Sequence, residues 1–120
     1  MSQKILICDD EEGIRESLKL ILGDHYDLIS VDSGEQCLDC LDHDASIGLV
    51  LLDIKMPKVN GLEILKAIKE KNADLNVIIV TGYKSVETAS EASALGASGY
   101  IVKPFKSDEI LSAVGKFINV

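Results

Sequence analysis

Five apolar runs begin near Lys4, Asp27, Gly48, Asn76 and Gly99, and each is followed by a segment whose apolar residues return at helical spacing. The run Gly48-Leu49-Val50-Leu51-Leu52 shows no polar alternation, as a central parallel strand covered on both faces requires. The first helical segment carries Ile14, Leu18, Ile21 and Leu22, and the last carries Ile110, Leu111, Val114, Phe117 and Ile118. Both stripes suit packing on a sheet. Ser33 with Gln36 three residues on has the pattern of a capping box opening the second helix. Ser107 followed by Asp108 and Glu109 marks the start of the fifth, and Gly23 and Gly96 suit helix ends. The fourth helix, Val86 to Leu95, offers only a thin stripe of Ala89, Ala92 and Ala94. It is expected to hold the sheet less firmly than its neighbours and to be the element that shifts. Alternating strands and helices with short connections predict an α/β fold of (βα)5 type, a doubly wound parallel five-stranded sheet with helices on both faces, because right-handed crossovers leave few alternatives.

Sites in such sheets lie beyond the carboxyl ends of the strands. Asp9 and Asp10 follow the first strand there, Asp53 the third, Thr81 the fourth and Lys103 the fifth. An ionised carboxylate closing a buried strand must be partnered or solvated. Asp9, Asp10, Glu11 and Glu12 at one sheet edge, with Asp53 beside them, ask for a cation, and a hard divalent ion such as Mg²⁺ answers best. Three acids, a hydroxyl and an ammonium around one crevice suit phosphoryl transfer. In that chemistry a carboxylate attacks phosphorus, a metal and a lysine neutralise the equatorial oxygens, and a hydroxyl hydrogen-bonds one of them.

Length and composition narrow the setting. A chain of 120 residues is expected to form one domain, 1–120. By the usual scaling such a domain buries roughly 65% of its unfolded surface, enough for a core without staples. Three cysteines, Cys8, Cys37 and Cys40, with no signal peptide and no apolar run able to span a bilayer, point to a reducing cytoplasm. A formal charge of −8 repels nucleic acid and anionic membrane, so neither is an expected direct partner. Cys37 and Cys40 form a C-x-x-C inside the second helix beside Leu38 and Leu41, where packing explains them better than redox or zinc chemistry. His25 and His43 fall in loops or helix ends and do not look catalytic.

Each candidate also has a plainer reading. Acids at a helix start are favoured by the macrodipole, and Glu11 and Glu12 need no more than that. Thr81 alone would be a turn residue, Lys103 a surface lysine and Tyr100 a core or edge aromatic. Asn60-Gly61 reads as a turn before the third helix. The two prolines of the chain, Pro57 and Pro104, both fall beside the proposed site. Lys103-Pro104 is either a cis bond that turns Lys103 into the crevice or an ordinary trans proline opening a helix.

The chain resembles the receiver domain of bacterial two-component response regulators along its whole length. The resemblance rests on Asp9-Asp10, Asp53-Ile54-Lys55-Met56-Pro57, Asn60-Gly61, Val80-Thr81-Gly82, Gly96-Ala97, Tyr100 and Lys103-Pro104-Phe105. It implies the flavodoxin-like strand order 2-1-3-4-5, the order for which the chemotaxis member of this family is a standard example. It implies that Asp53 accepts a phosphoryl group from a phosphohistidine on a sensor histidine kinase or phosphotransfer protein. Asp9 or Asp10, Asp53 and the backbone carbonyl of Lys55 would hold Mg²⁺, with Asp10 the closer ligand and Asp9 acting through water. Thr81 and Lys103 would bind phosphoryl oxygens, and Tyr100 would swing inward when Thr81 moves. The face of the fourth helix, fifth strand and fifth helix would then change its binding of a downstream effector or output domain, or of a second phosphorylated copy. The resemblance favours the cis form of Lys103-Pro104.

Such a protein is a signalling switch that catalyses only its own phosphorylation and slow dephosphorylation, and is not an enzyme with a separate substrate. A haloacid-dehalogenase-type hydrolase, which also uses an aspartyl phosphate, would want Asp-x-Asp after its first strand, whereas the acids here are adjacent. A relic module that binds without phosphorylation is opposed by the intact set of site residues. Flavin binding is opposed by Asp9 and Asp10 in the loop that would accept a phosphate. Two departures stand out: Cys8 replaces a more usual aliphatic residue, and Lys55 and Tyr83 occupy positions that vary across the family and tune phosphoryl lifetime.

Overall fold

The apolar runs that need cover on both faces lie inside the sheet and the less buried runs lie at its edges. In the computed structural model, which describes residues 3–56 and 59–118, the strands are β1 (Lys4–Cys8), β2 (Asp27–Val31), β3 (Ile47–Leu52), β4 (Asn76–Thr81) and β5 (Gly99–Val102). They pair in parallel in the order β2-β1-β3-β4-β5. Between and after them lie α1 (Glu12–Leu22), α2 (Gly34–His43), α3 (Gly61–Lys71), α4 (Val86–Ala94) and α5 (Ser107–Gly115). This is the expected α/β architecture, and the order agrees with the one the family resemblance implied. The unbroken run of β3 takes the middle of the sheet.

Because successive strand residues point to opposite faces, each run feeds two cores. Ile5, Ile7, Leu49, Leu51, Ile78 and Val80 face Leu18 and Leu22 of α1 and Ile110 and Val114 of α5. Leu6, Cys8, Val50, Leu52, Val77 and Ile79 face Cys37 of α2, Ile64, Leu65 and Ile68 of α3, and Ala92 of α4. Each fully buried aliphatic side chain contributes about 1.5–3 kcal/mol over its exposed state. The C-x-x-C therefore serves packing, with Cys37 buried and Cys40 half-buried.

Several local details differ from the sequence expectation. Leu111 is exposed and α5 ends at Gly115, so its buried stripe is Ile110 and Val114, while Phe117 and Ile118, expected on the helix, follow it and pack on the same core from beyond its end. In α4 only Ala92 is fully buried, while Ala89 is half-buried and Ala94 and Val86 face solvent, which makes the contact even thinner than the composition implied. Ser107 is the first residue of α5, as expected, and the cap before it is Lys106. The N–H of the cap residue Lys106 donates to Glu109 Oε1 at 3.0 Å. Ser33 caps α2 as expected, accepting from the Gln36 N–H at 3.2 Å, but the Gln36 side chain reaches back to the N–H of Asp32. Gly23 ends α1 in right-handed geometry (φ −63°), whereas Gly96 has φ +99°, a conformation that favours glycine.

Asn60-Gly61 is more than a turn. Asn60 Oδ1 accepts from the Leu62 N–H at 2.9 Å and caps α3. A Cβ on Gly61 would lie 2.2 Å from Ile54 Cα, so the absence of a side chain lets α3 start directly against the loop that follows β3. Lys55–Met56 and Val59–Asn60 form a short antiparallel ribbon that the sequence pattern did not announce. Pro57, expected beside the site, lies outside the described residues. Among the described residues no helix is long and apolar enough to cross a membrane.

Candidate functional site

The parallel ladder continues one residue beyond the strands and so delivers the polar residues to one crevice. The Asp53 N–H donates to Cys8 O at 3.0 Å, the Asp9 N–H to Val31 O at 3.2 Å, and the Lys103 N–H to Thr81 O at 2.8 Å. The first residue past β1, the first past β3, the last of β4 and the first past β5 are thus fixed by the same register that aligns the core. The Lys103-Pro104 peptide is cis, as the resemblance favoured.

Lys103 is the hub. Its Nζ lies 2.8 Å from Asp9 Oδ2, 3.1 Å from Asp53 Oδ2 and 3.1 Å from Glu11 Oε1. Asp9 and Asp53 are each only 2% exposed. Their second oxygens are engaged by backbone: Asp53 Oδ1 accepts from the Lys55 N–H at 2.9 Å and Asp9 Oδ1 from the Glu11 N–H at 2.9 Å. Arg15, on the first turns of α1, donates through Nη1 to the Asp9 carbonyl at 2.8 Å and holds that corner in place. Burial pushes the Asp9 carboxyl above its ordinary pKa despite the opposing pull of Lys103. For Lys103 burial acts downward, but the hydrogen bond and charge of Asp9, the charge of Asp53 and the hydrogen bond to Glu11 outweigh it and hold the ammonium above the usual lysine range.

Glu11 departs from the plain reading as a helix-start acid. It is the N-cap residue of α1, yet its side chain makes no cap bond and instead reaches Lys103, a partner 92 residues away. No local pattern in the sequence signals that contact. Glu12 sits exposed in the first turn of α1, consistent with the macrodipole reading.

Asp9, Asp10, Glu11 and Asp53 each present a carboxylate oxygen, and these oxygens all lie within 4.8 Å of one another. Three of these carboxylates share the Lys103 ammonium, and the donor set is entirely hard oxygen, so these residues fit a divalent cation of the Mg²⁺ class. Asp10 lies on the exposed side of the group.

A second chain of contacts leaves the crevice. Thr81 is fully buried and its Oγ1 accepts from the Tyr83 N–H at 3.4 Å. The Tyr83 carbonyl accepts from the Tyr100 hydroxyl at 2.8 Å. Tyr100 packs, half-buried, on the core that includes Ala92, Leu95 and Ala97, and burial, then the charge of Asp53, pushes its phenol pKa up. Lys55 Nζ stands 5.4 Å from the centre of the Tyr83 ring, a cation–π distance, so the two side chains meet across the mouth of the site. His25 and His43 are exposed, in the α1–β2 connection and at the last residue of α2 respectively, and take no part.

The family model described as "Response regulator receiver domain" matches residues 5–115. Sporulation initiation phosphotransferase F of Bacillus subtilis is 40% identical over 119 residues, covering 98% of this chain and 95% of that protein. Response regulator protein FleR of Pseudomonas aeruginosa is 36% identical over 118 residues, which are 97% of this chain but 24% of FleR. Among solved structures, the BeF3-activated receiver domain of DrrB from Thermotoga maritima superposes with a TM-score of 0.89 at 30% identity, covering 98% of this chain and 97% of that one.

Proposed function

The chain belongs to the response regulator receiver family, whose members are signalling switches, and from that premise we propose that it is a Mg²⁺-dependent phosphoacceptor. Asp53 takes a phosphoryl group from a phosphohistidine of a sensor kinase or phosphotransfer protein. The observation that carries this reading is the setting of Asp53, a buried carboxylate held by the Lys55 N–H and the Lys103 ammonium, with three further carboxylates grouped around it. An Asp53 oxygen bonds to phosphorus as the P–N bond breaks, and the released electron pair stays on the imidazole nitrogen. Lys103 and the Thr81 hydroxyl bind the phosphoryl oxygens. Asp10, Asp53 and the backbone carbonyl of Lys55 would hold Mg²⁺, with Asp9 behind through water, and the bound ion supplies positive charge opposite the incoming phosphoryl oxygens.

Recruitment of the Thr81 hydroxyl by the phosphoryl group competes with its bond to the Tyr83 N–H, and the Tyr83 carbonyl is what holds the Tyr100 hydroxyl. Tyr100 then turns inward and the face of α4, β5 and α5 changes its affinity for an effector, an output domain or a second phosphorylated copy. The sparse seating of α4 supports this choice of moving element. The name of the Bacillus relative supports a place in phosphoryl transfer between proteins, and the activated DrrB structure supports a site that accepts a phosphoryl mimic.

The test is incubation with acetyl phosphate or phosphoramidate followed by intact-mass measurement. Labelling is expected with Mg²⁺ and lost with chelator or in Asp53→Asn. Thr81→Ala is expected to keep the label yet lose most of the phosphorylation-dependent change in amide chemical shifts from Val86 to Val102. Label that persists in Asp53→Asn at the parent's extent would overturn the assignment.

A further inference from the structure

Lys103 enters this site already saturated. An ammonium has three N–H donors, and three carboxylate oxygens lie within 3.1 Å of Nζ. Any phosphoryl oxygen that Lys103 binds must therefore displace one of them. The three are not equivalent. The side chains of Asp9 and Asp53 are 3% and 1% exposed, and as a phosphoryl group approaches, before Asp53 has bonded to phosphorus, releasing either would leave a buried charge facing another carboxylate. The Glu11 side chain is 61% exposed and returns to water when released. Its position is nonetheless set, because its own N–H is tied to Asp9 Oδ1 and its carboxylate forgoes the local bonds an acid at a helix start could make.

We propose that Glu11 is a place-holder for the phosphoryl group: in the unphosphorylated protein it occupies on Lys103 the donor that a phosphoryl oxygen takes over, and its release sets how tightly the site holds that group. Glu11 is a positioning residue that acts through Lys103. The proposal rests on the phosphoacceptor reading and deepens it, since it names a residue that regulates occupancy of that site.

The experiment titrates the full chain with fluoroberyllate, a phosphoryl mimic, in saturating Mg²⁺ and follows amide shifts at Thr81 and Gly82. Glu11→Gln is expected to bind about three- to fivefold tighter than the parent, the scale of one exposed ion pair. Glu12→Gln removes the same charge one residue further on, from a side chain for which no contact with Lys103 is found, and is expected to stay within about twofold of the parent. Glu11→Ala, which removes the carboxylate by a different route, is expected to follow Glu11→Gln. The ¹⁵N signal of the Lys103 ammonium, read in the free proteins, is expected to move in Glu11→Gln and not in Glu12→Gln, a response that a merely structural role for Glu11 would not produce. Equal or weaker fluoroberyllate binding by Glu11→Gln overturns the place-holder, as does an equal gain in Glu12→Gln, which would reduce the effect to general charge. Weaker Mg²⁺ binding in Glu11→Gln would make Glu11 a metal ligand and also overturn it. Failure of the parent itself to bind fluoroberyllate would overturn the phosphoacceptor reading and the place-holder together.

Discussion

The two ends of the sheet use acidic residues in opposite ways. At the amino end of β1, Lys4 pairs with Asp44 at 2.8 Å, and Asp44 also accepts from the Ser46 N–H and hydroxyl, while Lys71 pairs with Asp42 nearby. Each of these carboxylates has its own cation and is open to water. The Lys4 hydrogen bond, followed by those from Ser46, lowers the Asp44 pKa to about 2. At the carboxyl end three carboxylates converge on Lys103 with Asp10 grouped beside them, and the buried Asp9 is pushed up instead of down. At the amino end the partners of Asp44 favour its ionised form; at the carboxyl end burial disfavours that of Asp9. A surplus of negative charge with hard oxygen donors is what a divalent cation can complete, and in the proposed function that cation is what lets the site admit an anionic phosphoryl group.

Truncating the lysine at each end gives the largest contrast. In chelator, Lys103→Ala leaves Asp9 and Asp53 buried without a cation and is expected to cost about 3–5 kcal/mol in urea unfolding, the scale of breaking a buried pair. Lys4→Ala leaves Asp44 in water and should shift the midpoint only slightly. Equal losses at the two ends would break the comparison.

The next contrast is one of sign. Asp9→Asn keeps an oxygen to accept the Glu11 N–H but removes a carboxylate that burial disfavours, so in chelator the thermal midpoint is expected to rise. If the site binds Mg²⁺ as proposed, excess Mg²⁺ is expected to stabilise the parent more than the variant and so to reverse the order. A midpoint for Asp9→Asn below the parent in both buffers would show that the surplus is not a burden.

The smallest effect is a pH dependence at the amino end. Lys4 and Ser46 hold the Asp44 carboxyl down to about 2 from its ordinary 3.8, so its contribution is fully present above 3.8 and lost as pH falls toward 2. Asp44→Asn is expected to flatten acid unfolding in that window and to leave stability above pH 6 nearly parallel to the parent. Asp9 has the opposite linkage, since a raised folded pKa makes stability fall as pH climbs through it. An unchanged acid limb in Asp44→Asn would mean that the Lys4 pair does not hold the proton off.

Much of the fold and of the site was legible because both are written at strand ends. The unbroken apolar run before Asp53 and the stripes Leu18–Leu22 and Ile110–Val114 could be read by period alone, and they put Asp9, Asp53, Thr81 and Lys103 at one edge. Leu111 and Ala94 were misplaced because a stripe written from composition does not say where its edge meets solvent. The ribbon at Lys55–Met56 and the close approach of Gly61 to Ile54 were invisible because they depend on how the β3–α3 connection folds back, which no periodicity encodes.

The sequence by itself determined which residues could be charged, which could be buried and the order in which the chain meets them. Those are properties of side chains and of their spacing along a strand or helix. Only the tertiary structure decided how the charges are shared. Glu11 looks like Glu12 along the chain, yet one is bound to a lysine 92 residues away and the other is a solvated first-turn acid. The physical reason is that a carboxylate's role depends on its distance to a cation and on how much water remains around it. Both are set by the parallel register of β1, β3, β4 and β5, which brings together residues that the chain keeps far apart.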